Sequence, residues 1–503
     1  MENNLGDETT GELNQEKIGT FLAPHQKLYL CHGLTQWDDR MWQFAAPLIL
    51  TSLFPDTLFP AIMFSFAGSV ACFLFGPYVG AWIDKTSRKT CVQLCLIILH
   101  VAVLIDAILM GLLLIMAQRP YFSELVDWRF FVPYTAACLV SSMGELANAG
   151  RAVALEKDWA VVVAKELNQP IAELNAVLKR IDLTCNVAAP MVFGFLLALT
   201  NMTISLVFCA TWNLLSLPAE QVLLHMIYKE TPSLAVKPST IEKNASSSHP
   251  LAALFDGWRI YFTHRAALSS LAYVLLYITV LSGGVSIVSY LSSIGIDAIW
   301  IAIFSAAASL MGIISTWVVV PVLNWLGNIR SGMVFLVLQL MFLCASIASF
   351  FAFADESSII RIAIFLLGIV FSRMGLWGFD MVEVQQIQIL VKPSHRGIFS
   401  GTESALTNLA YLIILGLALI LNHPSQFRWL VIVSFSCVCC ANGLYLIWWQ
   451  RSLRGEDNIE TGPGTLDSES RARLELLLDD FEESDNRFFE SEEREELSDP
   501  SFQ

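Results

Sequence analysis

The chain has 503 residues, 55% of them hydrophobic and only 15% charged, with a mean hydropathy of +0.58. That composition excludes an ordinary soluble domain and implies a polytopic helical membrane protein. The formal net charge of −15 misleads, because seventeen acidic and only five basic residues lie from Arg454 onward; the nearly neutral remainder lacks the basic footprint that a nucleic acid needs.

Residues 1–26 are polar and acidic and read as a disordered leader with no cleavable signal. The first apolar run, 27–53, is long enough to cross a bilayer, yet its middle carries Asp38, Asp39 and Arg40 between Trp37 and Trp42. An ionisable side chain at membrane depth costs roughly 2.5 to 3.5 kcal/mol, so such groups face a protein interior or a water-filled path. His32, Asp39 and Gln43 fall on one helical face, by spacings of seven and four. A carboxylate, an imidazole and an amide together suit a divalent transition metal.

Twelve apolar runs are expected to span, near 27–53, 58–83, 91–117, 130–150, 182–200, 202–227, 266–292, 296–325, 331–354, 359–390, 398–421 and 427–450. Basic residues concentrate in alternate loops, among them Lys85, Arg88 and Lys89, then Lys157, Lys165 and Lys179, then Lys392 and Arg396. The positive-inside rule makes those loops, and both termini, cytosolic. The long polar stretch 229–265 separates a first lobe, 27–228, from a second, 266–450, and 451–503 forms an acidic disordered tail. The implied fold is an all-α integral membrane protein of twelve transmembrane helices in two six-helix lobes, as in major-facilitator transporters that rock about a midplane site.

The loop after the second run matches the Gly-x-x-x-Asp-x-x-x-Arg/Lys loop of major facilitators, from Gly80 through Asp84 to Arg88. Asp84 there is expected to pair with cationic groups at helix ends when the lobes meet, with a plain capping role as the alternative. The eleven cysteines lack zinc or disulfide spacing; the cluster Cys437, Cys439 and Cys440 reads as helix packing, with a soft-metal site as the lesser reading. Arg373, Asp380 and Glu383 interrupt the tenth run. Asp380 and Arg373 share a face and are expected to pair mutually or across the lobes, while Glu383 has a weaker claim to a substrate role. An Asn-x-Ser/Thr sequon at Asn201 lies too near the membrane for glycosylation. No G-x-S-x-G, Walker loop or H-E-x-x-H is present, which argues against an enzyme.

The strings DRMW at 39–42, KDWAVVV at 157–163, RID at 180–182, TPSLAVK at 231–237, SRMGLWGFD at 372–380 and RGIFSG at 396–401 resemble the ferroportin family of cellular iron exporters. The resemblance runs in order over roughly 27–450 and leaves out both tails. It implies a twelve-helix exporter of Fe²⁺ as substrate, with proton antiport and a regulatory Ca²⁺ ion in the amino-terminal lobe. By position Asp39 matches the family's metal-binding aspartate, and Asn213 and Glu220 match polar residues of its calcium site. Asp84, Arg88, Asp158, Asn175, Arg180, Asp182 and Arg396 match the cytosolic gate.

The chain also departs from the family pattern. Gln43 stands where vertebrate members carry a histidine, which leaves His100, Gln43 or His32 to supply neutral ligands to Asp39. His100, isolated in an apolar run, reads either as that ligand or as a satisfied core histidine. In vertebrates a broken seventh helix presents a second metal site that also docks the hormone hepcidin; the corresponding positions here are Gly283, Gly284, Val285 and Ile414, which offer no ligand. The two glycines still favour an unwound hinge. The expectation is a monomer, insensitive to hepcidin, in the plasma membrane rather than an organelle. Its alternatives are an exporter of Mn²⁺, Co²⁺, Ni²⁺ or Zn²⁺ and, further off, a non-transporting receptor.

Overall fold

The computed structural model describes residues 22–54, 59–117, 128–236, 250–281, 298–352, 359–421 and 426–454, with isolated residues between 287 and 296. The leader before residue 22, the tail after 454 and the glycines 283 and 284 lie outside the described residues. The helices are α1 (Pro24–Leu53), α2 (Phe59–Lys85), α3 (Arg88–Ala117), α4 (Trp128–Ala152), α5 (Ala160–Glu166), α6 (Ile171–Leu199), α7 (Met202–Glu230), α8 (Pro250–Thr263), α9 (Ala267–Leu275), α10 (Ala298–Ala352), α11 (Ile359–Leu390), α12 (Arg396–Ile420) and α13 (Phe427–Leu453).

Local chemistry sets several boundaries. Pro24 opens α1 at a position whose N–H would be unbonded anyway. Asn201 starts α7 by accepting the Ile204 amide at 2.9 Å, so the sequon asparagine is a helix cap. The sixth helix begins at Ile171, a full three turns before the expected 182, because its first half is too polar to register as an apolar run. Between α4 and α5 the chain takes one wide turn of π-helix, Val153–Trp159, of the kind that often marks a functional site. Gly327 divides α10 into two arms, with φ of +74° in the left-handed region that glycine tolerates.

Among the described residues nine helices are long and apolar enough to cross a membrane. The difference from the expected twelve has three sources. The two arms of α10, kinked at Gly327, enter that count as one helix. The charged middle of α1 lowers its apolarity, and the seventh span breaks at Leu275. That break comes before the expected glycines. The freed backbone over residues 276–281 is satisfied from neighbours: Ser434 accepts the Val280 amide at 2.9 Å, and the Arg373 guanidinium donates to the Leu281 carbonyl. Arg373 therefore supports the broken helix instead of pairing with Asp380. The segment 229–265 is not all loop, since α8 occupies part of it.

Each half has its own apolar interior. Met41, Ile49, Leu99, Met110 and Phe193 pack together in the amino-terminal half, and Leu336, Ile369, Phe379, Val438 and Tyr445 in the carboxy-terminal half. Ile414 is buried in the latter, as a packing residue. The outer faces carry Ile108, Leu139, Phe195, Leu310 and Ile420 in the open, an arrangement that only a lipid solvent accommodates. Cys439 and Cys440 join that exposed face. The halves meet where α2 packs on α12 and α6 packs on α10.

Candidate metal centre and gate

Adjacent residues of α1 point in different directions and serve different clusters. Asp39 faces a polar cavity of about 360 Å³ between the halves, lined also by His32, Gln43, Glu145, Asn148, Asp182 and Asp380. The stripe read from spacing is thus real: His32, Asp39 and Gln43 line one wall. Gln43 donates to Asp39 Oδ2 at 3.0 Å, and the Asn148 amide is within hydrogen-bonding reach of the same carboxylate. Glu145 stands beside Asp39, in space opened by Gly68, where a Cβ would meet the Glu145 side chain at 2.9 Å. The two carboxylates supply the oxygen donors here, while both amides turn their N–H groups toward Asp39 and their oxygens accept from Arg40 and Arg151. The sequence signal for Glu145 and Asn148 is a carboxylate and an amide one turn apart inside the fourth apolar run.

The rest of the cavity wall is a chain of charge. Arg40 donates to Asp182 at 2.7 Å, Lys179 lies 3.5 Å from Asp182, and Lys179 reaches Asp380 of the other half at 2.8 Å. Tyr273 also donates to Asp380, at 2.6 Å. Asp182 is therefore a cavity residue and stands apart from the Asp84 cluster. Arg180 is likewise separate, bonded to Thr316 at 3.0 Å and stacked over Trp317. His32 approaches Glu156 at 3.8 Å.

Asp38 points the other way, into the amino-terminal half. Its carboxylate, the His100 imidazole and the Glu220 carboxylate offer ligand atoms that all lie within 4.8 Å of one another. His100 Nε2 is 3.0 Å from Glu220, its Nδ1 is 2.9 Å from the Asn213 amide, and Ser216 donates to Asp38. His100 and Glu220 are fully buried. The expectation that His100 completes a site with Asp39 is corrected: its carboxylate partners are Asp38 and Glu220. Asp38 is only 4% exposed and meets neighbouring helices, through Ser216 and His100, instead of outer water. One oxygen each of Asp38, Asn213 and Glu220 has no hydrogen-bond partner, and such orphaned buried acceptors fit a cation. An imidazole among them favours a transition metal over calcium, which prefers oxygen throughout.

On the side bearing the α2–α3 loop the halves are locked together. Asp84 accepts the backbone amides of Gly397 and Ile398, both at 2.8 Å. It thereby occupies the N-terminus of α12, where unbonded amides and the helix dipole favour an anion. Arg396, at the same helix end, lies within electrostatic reach of Asp84 as well. Arg88 grips Asp158 with two bonds of 2.8 and 3.0 Å, and Arg396 approaches the same carboxylate at 3.7 Å. Asn175 and Gln388 exchange amide bonds of 2.7 and 3.1 Å across the halves. Gln388 was not legible as a gate residue.

The Ferroportin1 (FPN1) family model matches residues 23–438. The chain belongs to the ferroportin family. Human ferroportin is 24% identical over 87% of this chain and 92% of that protein. Arabidopsis thaliana solute carrier family 40 member 2 is 26% identical, covering 84% and 88% respectively. A bacterial homologue of the iron transporter ferroportin in its outward-facing state superposes with a TM-score of 0.75 at 28% identity, over 86% of this chain and all of that one. The inward-facing state of such a homologue gives only 0.59, at 27% identity over 86% of this chain and 99% of that one. This ferroportin-family chain therefore adopts a shape nearer the outward-facing one, as expected with the Asp84 side shut. The major-facilitator transporter FucP, 12% identical with a TM-score of 0.59 over 85% of this chain and 99% of that one, shares the fold alone. Family and fold make the protein a membrane transporter and not an enzyme.

Proposed function

We propose that the protein exports Fe²⁺ from the cytosol by alternating access, with twelve spans in two six-helix lobes. The observation that carries this reading is the inter-lobe cavity in which the Asp39 and Glu145 carboxylates present hard oxygen donors, with the Gln43 and Asn148 amides bonded beside them, at the tryptophan-flanked charged stretch of α1. The Asp84 side is taken as cytosolic on the strength of its basic loops. With that side open, Fe²⁺ meets Asp39 and Glu145. Its charge offsets theirs, which lowers the cost of burying the pair as the halves close. Asp84 then caps α12, Arg88 and Arg396 gather on Asp158, and the ion is free to leave outward.

The Asp38, His100 and Glu220 cluster lies inside one half and away from the cavity, which suits a resident ion that stiffens α1, α3 and α7 against one another. The family's regulatory Ca²⁺ would be held there by Asp38, Glu220 and Asn213, with His100 shifting preference toward a transition metal. Gln43 in place of an imidazole supports Mn²⁺ as a second cargo, because its donors are those that Mn²⁺ accepts. A plasma-membrane location, cytosolic termini, a monomeric state and indifference to hepcidin complete the reading. The last rests on Ile414, which packs in the apolar interior of the carboxy-terminal half.

Proteoliposome flux with a panel of divalent ions tests the proposal. Fe²⁺ transport that saturates, and falls at least tenfold in Asp39→Ala, supports it; flux of Zn²⁺ or Ni²⁺ with none of Fe²⁺ refutes the cargo, and normal flux in Asp39→Ala refutes the site.

A further inference from the structure

The carboxy-terminal half contains a second buried acidic pair that the metal pathway does not use. Glu383 on α11 and Glu403 on α12 are 1% and 3% exposed. Glu403 is fully engaged: one oxygen accepts from Lys157 of the other half at 2.6 Å, and the second accepts from the Ser270 hydroxyl. Ser270 in turn accepts from Tyr261 at 2.8 Å. The Glu383 carboxyl faces Glu403 within hydrogen-bonding reach, yet neither of its oxygens receives a bond from any donor among the described residues.

The charged and titratable groups around Glu383 are Glu403, Lys157 and Asp380, with the tyrosines 261, 273 and 445. Asp380 is committed to Lys179 and Tyr273. Tyr445 donates to the Ile329 carbonyl and accepts from Gln386. Lys157 is matched by Glu403. A charged Glu383 would thus press one carboxylate against another at membrane depth with no cation left to balance it, an arrangement that buried ions do not sustain. One proton resolves the conflict, because a carboxylic acid donates a short, strong hydrogen bond to a neighbouring carboxylate.

We propose that Glu383 and Glu403 form a proton-binding site that couples closure of the halves to pH. With the halves together, both Glu403 oxygens accept bonds from Lys157 and Ser270, and a single proton, drawn from water on the Asp84 side before closure, sits between the two carboxyls. Without that proton the pair is doubly charged against one lysine, so rising pH opposes closure. The inference rests on the transport reading for its functional consequence, though the proton itself does not.

Two measurements on the full chain separate these claims. Infrared spectra of the reconstituted protein should contain a carboxylic-acid carbonyl band that Glu383→Gln removes. Mn²⁺ flux in proteoliposomes should fall with rising pH in the native protein, approaching tenfold per pH unit for a single required proton. In Glu383→Gln the flux should be flat over that range, because the amide donates permanently to Glu403. Parallel pH profiles in the two proteins, or a carbonyl band untouched by the substitution, overturn the proposal. So does loss of one bound metal equivalent in Glu383→Gln, which would make Glu383 a metal ligand. Loss of the band with no flux in either protein supports the proton site and removes the transport reading instead.

Discussion

Substituting Gly80 by alanine should prevent the halves from closing on the Asp84 side. A Cβ at Gly80 would lie 2.2 Å from the Gly397 carbonyl oxygen, and ordinary contact begins at 3.4 Å. The single methyl therefore has to drive α2 and α12 apart by about 1 Å. The two amide bonds that Asp84 accepts at 2.8 Å would stretch to nearly 4 Å and cease to exist. Hydrogen bonds to a charged group contribute about 1.5 to 3 kcal/mol each. Water reaching the released groups at this edge returns part of that, so a net loss of about 3 kcal/mol is expected, or roughly a hundredfold shift toward the open form. Spin labels at Lys85 and Lys392, in a background with accessible cysteines replaced, would read this as a longer inter-label distance and transport would fall in parallel. Gly194→Ala is the control, since a Cβ there meets nothing within 4 Å. An unchanged distance distribution in Gly80→Ala, with normal transport, would refute the reasoning.

Three further outcomes follow from the same geometry. Glu145→Gln should weaken metal affinity at the cavity site at least tenfold, while Asp38→Asn should leave that affinity nearly intact and instead reduce the rise in melting temperature that added metal produces; equal effects in both assays would merge the two clusters. Arg373→Met leaves the Leu281 carbonyl without its donor and should cost about 1 to 3 kcal/mol of stability, seen as a lower melting temperature in detergent that Arg373→Lys partly restores. Breaking the Lys179–Asp380 pair by Lys179→Met leaves Asp380 with the Tyr273 hydroxyl as its donor, at a cost of about 1 to 3 kcal/mol. The double variant Lys179→Met, Asp380→Leu should recover much of the closed population in the same spin-label experiment, and its failure to do so would make the pair incidental.

Much of this was legible in the chain. Apolar runs of membrane length, separated by loops with alternating basic content, determine a polytopic helical protein because lipid cannot hydrogen-bond an exposed backbone. The stripe of His32, Asp39 and Gln43 followed from helical periodicity alone, and the residues Asp84, Arg88, Asp158 and Arg396 did assemble on one side as their motifs implied. Periodicity fixes only angular position on one helix, however. Asp38 and Asp39 are neighbours about a third of a turn apart, and which of them meets His100 depends on where α3 and α7 pack against α1. That packing gave His100 to Asp38 and Glu220, and left Asp39 with Glu145 and Asn148.

The same limit explains the remaining differences. Arg373 and Asp380 share a face of α11, yet a broken helix with an unbonded carbonyl took the arginine, and a lysine from the other half took the aspartate. The pairs Asn175–Gln388 and Lys157–Glu403 join residues more than two hundred positions apart, a separation over which no local pattern carries information. Composition and spacing determined the solvent this chain lives in, its helices and the chemistry it carries; which charges meet was decided by the approach of one half to the other, because an ion pair needs its partner within a few ångströms and only the packed structure sets that distance.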